Sequence, residues 1–86
     1  MWRCLTMAVS NTNRIDMDTR AEIARMRAEA KHYRQLAACN RRIAREAKER
    51  GDQLGALKAR IRTTELVRSA QQRDARAKEL RACLAT

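Results

Sequence analysis

From residue 19 onward, apolar side chains recur every three or four positions between charged ones, the spacing of helices that bury one face. The first such stretch opens with Thr19-Arg20-Ala21-Glu22, a capping box in which Thr19 can accept from the third amide and Glu22 can reach back. No breaker follows until Gly51, which suits a left-handed helix end, and Asp52, which suits the cap of a second helix. The pattern therefore predicts a helix over 19–50, about 48 Å long, a turn at 51–52 and a second helix over 53–83. Residues 1–18 show no sustained period and include the polar run Ser10-Asn11-Thr12-Asn13; they read as a disordered lead-in.

Placed at 100° steps, Met26, Tyr33, Leu36, Ile43, Ala44 and Ala47 share one broad side of the first helix with Asn40. In the second helix Leu54, Leu57 and Ile61 share a face, whereas Leu66, Val67, Ala70, Ala77, Leu80 and Leu84 lie on a rotated one. The shift falls near Thr63-Thr64 and suggests a kink, a stutter or a change of partner. A tight turn at Gly51-Asp52 pairs positions whose numbers sum to 103 or 104. Ile43 then meets Ile61, Ala47 meets Leu57, Leu36 meets Val67, Met26 meets Ala77 and Ile23 meets Leu80. These pairings favour an antiparallel αα-hairpin over one uninterrupted helix of about 65 residues in a dimer. The predicted seam comprises Ile23, Met26, Tyr33, Leu36, Asn40, Ile43, Leu57, Ile61, Val67 and Leu80, with Asn40 as a polar residue that sets register.

Composition weakens this core. Of the 44% of residues that are nominally hydrophobic, 16 are alanine, and Leu, Ile and Val supply only 13 of the 86 residues, with no Phe. A single two-helix seam of this kind buries little volume in a chain this short. The expectation is self-association as a coiled coil or four-helix bundle, or docking to a helical protein partner.

Charge adds the main functional clue. Twenty Lys and Arg against ten Asp and Glu give a formal charge of +10. No acid lies between Glu29 and Glu46, and Arg20, Arg27, Lys31, Arg34, Arg41, Arg45 and Lys48 fall within about 100° of the first helix, with Arg42 nearby. These eight are the candidate nucleic-acid contacts, suited to phosphates rather than to sequence readout. Few aromatics argue against stacking on single strands, so duplex backbone or structured RNA is the expected partner. The alternative is a coiled-coil interaction or assembly module whose charges only keep it solvated; binding to a membrane surface is disfavoured by an apolar face made mostly of alanine.

The same residues offer little to catalysis. One histidine, no glycine-rich phosphate loop and no nucleophile with a base at motif spacing argue for a protein that is not an enzyme and needs no cofactor. Cys4, Cys39 and Cys83 are odd in number and widely spaced, so neither a zinc site nor a disulfide framework is expected, and the thiols read as small hydrophobes. No run approaches the ~20 apolar residues of a bilayer span, and a cytoplasmic location is expected.

Overall fold

The computed structural model describes the backbone of residues 2–85 and the side chains of residues 14–85. Gly51 takes φ +80°, the left-handed value that a side chain would strain. Around it the Asp52 amide donates to the Ala47 carbonyl at 2.8 Å and the Gly51 amide to the Lys48 carbonyl at 3.0 Å. This pair of bonds is a Schellman stop, which satisfies carbonyls that a helix end leaves open. Asp52 then restarts the helix: its Oδ1 accepts from the Gly55 amide at 2.9 Å, and its carbonyl accepts from the Ala56 amide at 3.0 Å. A Cβ at Gly55 would sit 2.2 Å from Asp52 Oδ2, so the missing side chain makes room for the cap. The result is the expected all-α hairpin of two long antiparallel helices, α1 (Trp2–Glu49) and α2 (Gln53–Ala85), in a rod of 73 × 16 × 14 Å.

Small residues dominate the seam. In α1 the buried or half-buried positions 23, 26, 30, 33, 37, 40, 44 and 47 are spaced alternately by three and four residues, and in α2 positions 56, 59, 63, 66, 70, 73, 77, 80 and 84 do the same. That is a heptad repeat, the 3.5-residue period that keeps one stripe facing a partner along a left-handed coiled coil. Numbers across the seam sum to 103: Ile23 and Leu80 share one buried cluster with Ala77 and Met26. The same register sets Ala47 opposite Ala56, Ala44 opposite Ala59, Ala37 opposite Leu66 and Tyr33 opposite Ala70. In these four layers a large residue meets a methyl, or two methyls meet. Ala30 is wholly buried, and so nearly are Ala37, Ala47 and Ala77.

The register expected from sequence holds at the open end, where Ile23 meets Leu80 and Met26 meets Ala77. It fails near the turn. Ile43, Leu57 and Ile61 are about half exposed (51%, 51% and 52%), and Leu54 more so, so neither the Ile43–Ile61 nor the Ala47–Leu57 pairing forms. Phase continuity is the cause: Ile23, Met26, Leu66 and Leu80 fix which stripe faces inward, and the heptad carries that stripe onto alanines at 44, 47, 56 and 59. Burying Ile43 would rotate α1 by about 100° and lift its other anchors out. For the same reason the apparent shift at Thr63-Thr64 is not a stutter, since α2 is one helix and its seam spacing runs unbroken through Thr63. Met26, Tyr33, Leu36, Asn40 and Val67 are half-buried at or beside the seam. Asn40 Nδ2 donates to the Leu36 carbonyl at 3.0 Å and Thr63 Oγ1 to the Ala59 carbonyl at 2.8 Å, so these two polar seam residues are satisfied by their own helices.

The start of α1 also differs from the expected Thr19. Thr19 Oγ1 donates to the Ile15 carbonyl at 2.7 Å, a bond made inside a helix and not at its cap. Glu22 instead lies 3.8 Å from Arg25 and 3.9 Å from Arg76. The lead-in expected over residues 1–18 falls mostly on residues 1–13, whose side chains lie outside the described residues, as does Cys4. Cys39 and Cys83, read from sequence as small hydrophobes, are exposed.

Candidate nucleic-acid interface

The heptad that buries the alanines also arranges the charges. Each residue immediately after a seam position of the Met26, Tyr33, Asn40 and Ala47 series flanks the seam on one side. In α1 those flanking residues are Arg20, Arg27, Arg34, Arg41 and Lys48, a column with one cation every seven residues, or about every 10.5 Å. The corresponding column of α2 is Arg60, Val67, Asp74 and Arg81. In an antiparallel pair these columns lie on the same side, and an ion pair between Arg34 and Asp74 bridges them. Seven cations therefore share this side with one carboxylate.

The opposite side is balanced. Glu22 and Glu29 precede the seam positions of α1, and they meet Arg76 at 3.9 Å and Arg73 at 3.4 Å. Arg73 also caps the Tyr33 ring, with its guanidinium carbon 4.7 Å from the ring centroid. Acids of α1 thus neutralise bases of α2 on one flank only. Among the described residues, Arg20, Arg27, Arg41, Lys48, Arg60 and Arg81 on the other flank make no ion pair.

Near the turn this basic side becomes concave. Arg41, Arg45 and Lys48 of α1 and Arg60 of α2 surround a groove of about 470 Å³, with Ala44 at its floor and Thr63 and Thr64 on its wall. The groove continues past Val67 toward Arg68 and Gln71, and no carboxylate lines either part. The two threonine hydroxyls donate to the Ala59 and Arg60 carbonyls, at 2.8 and 3.1 Å.

All eight cations expected from sequence are exposed. The structure gathers Arg20, Arg27, Arg34, Arg41 and Lys48 into the column, with Lys31 and Arg45 beside it. Arg42 stands apart, about 100° round the helix from Arg41. Arg60, Arg68 and Arg81 of α2 were missing from the sequence-derived set. Their signal was the position of Arg60 and Arg81 one residue after Ala59 and Leu80, visible only once the alanines are assigned to the seam. His32 is exposed and stacks obliquely near Tyr33, 6.2 Å between ring centroids. Among the described residues no three metal-ligating side chains converge, and no helix is long and apolar enough to cross a membrane. No known protein family, curated protein or solved structure matches the chain.

Proposed function

We propose that the chain binds double-stranded nucleic acid through its phosphate backbone, without reading sequence and without catalysing a reaction, along the basic side of the hairpin. The supporting observation is the one-sided cancellation of charge: ion pairs neutralise the Glu22–Glu29 flank, whereas seven cations against Asp74 remain on the other. A merely solvated helix surface has no reason to sort its acids to one side. A straight row of cations suits a stiff duplex, and the described aromatics offer no stacking platform for a single strand, because Tyr33 is half-buried under Arg73.

The test is fluorescence anisotropy on a generic 20-base-pair duplex across a salt series. With about five phosphates neutralised, log affinity should fall against log salt with a slope near −4.5, a loss of roughly 500-fold between 50 and 200 mM. Absence of binding at 50 mM, or a flat salt dependence, would sink the proposal. Asp74→Asn in the same assay should tighten binding by about threefold at low salt, because it removes the lone carboxylate and releases Arg34 to a phosphate. Unchanged or weaker affinity would place Arg34 outside the contact.

A second reading is supported by Leu54, Leu57 and Ile61, which form an exposed apolar stripe on the back of α2. That stripe suits association with a second copy or a helical protein. A wild-type chain that sediments as a dimer yet binds no duplex at 50 mM salt would favour this reading over the first.

A further inference from the structure

The cations of the basic side are unevenly placed. Midway along α1, Arg27, Lys31 and Arg34 share their side with Asp74, which pairs with Arg34, but at the turn end four cations from both helices ring one groove that no carboxylate lines. We propose that this turn-end groove is the phosphate-binding centre of the protein, holding neighbouring phosphates of one duplex strand between Arg41, Arg45 and Lys48 of α1 and Arg60 of α2. The proposal rests on the duplex-binding reading and locates it.

Three features of the groove point to phosphate. Its seam layers are the smallest in the molecule, Ala44 with Ala59 and Ala47 with Ala56, so no bulky side chain fills the space between the basic arms. Its lining contains no carboxylate. The carboxylates nearest in sequence are engaged or turned away: Asp52 caps α2, and Glu46 and Glu49 are exposed on other faces of α1. Thr63 and Thr64 spend their hydroxyl protons on their own helix, which leaves the basic side chains as the donors an anion would meet. Guanidinium groups on opposite walls can each present a two-pronged face to a phosphate. Because Arg60 comes from α2, the site exists only in the closed hairpin.

Arg60 and Arg81 supply a matched pair of variants. Both sit in the same column of α2, both are exposed, and they lie 21 residues, or about 31 Å, apart. Arg60→Glu should weaken duplex binding at 50 mM salt by about tenfold and reduce the salt slope by about one. Arg81→Glu, with the same change in charge, should weaken it by less than about threefold. Equal losses would overturn the groove as a centre while leaving the basic side as a contact surface. The groove is read independently by titrating inorganic pyrophosphate into isotope-labelled protein and following amide shifts. Perturbation confined to residues 41–48 and 60–64 is expected, and it would locate the groove even if the duplex failed to bind. Shifts of equal size at residues 20–34 and at 81 would overturn it.

Discussion

Leu66→Ala should destabilise the hairpin by about 2–5 kcal/mol, and Ala37→Leu, across the seam, by about 1–3 kcal/mol, yet the double variant should recover part of the loss. Leu66 is 3% exposed and Ala37 1% exposed, and the register places them in one layer. Truncating Leu66 leaves two methyls where the helices are spaced for one leucine, and the cavity closes only if the helices shift against their neighbours. Enlarging Ala37 puts two leucines into that layer and forces the helices apart. Exchanging both restores the volume with its direction reversed. Urea unfolding followed by circular dichroism measures all three, and a chain of this size has only about 4–13 kcal/mol to lose. Ala38→Leu, one position away and exposed, should change stability by less than about 0.5 kcal/mol. Strictly additive losses would mean that Ala37 and Leu66 do not share a layer.

Reversing Arg41, Arg45 and Lys48 together to Glu should abolish duplex binding at 50 mM salt, a loss above about 100-fold. The three are exposed and line one groove, so the change replaces its positive α1 wall with a negative one while leaving the buried seam untouched. Helicity and the unfolding midpoint should stay close to wild type. The informative comparison applies the same change in net charge at Arg42, Arg50 and Lys58, which are exposed but absent from the groove. If binding depended only on net charge, the two triple variants would lose affinity equally. A larger loss at the groove, by tenfold or more, is the expected result.

The architecture was legible because its determinants are local and categorical. Gly51 permits a backbone conformation that other residues resist, and Asp52 carries a capping carboxylate, so two adjacent residues announced the turn and with it the register. The composition of the seam was harder to read. Ala30, Ala37 and Ala47 are buried, whereas Ala24, Ala28 and Ala38 are exposed, and hydropathy scores all six alike. Ile43, Leu57 and Ile61 carry more hydrophobic weight, so a wheel weighted by side-chain size drew the seam toward them. What decides is the shared phase of Ile23, Met26, Leu66 and Leu80, a property of the entire helix and not of any window near the turn. The misplaced seam then hid the partners of the basic column, because Arg60 and Arg81 reveal their side only relative to Ala59 and Leu80. Thr19 misled for another reason: a capping box is also a run of ordinary helical residues, and only the chain before it decides which role it plays.

The antiparallel register has a consequence for how this rod assembles. Ala47 and Ala56 lie nine residues apart in the chain, while Ile23 and Leu80 lie fifty-seven apart, with every intervening layer in order between them. Closing a loop costs conformational entropy that rises with its length, so the Gly51 turn and its alanine layers come together first. Each later layer then extends a loop already closed and adds little to that cost. Such a zipper folds fast for its stability, and it opens from the far end, where the bulky Ile23, Met26 and Leu80 cluster acts as a clasp.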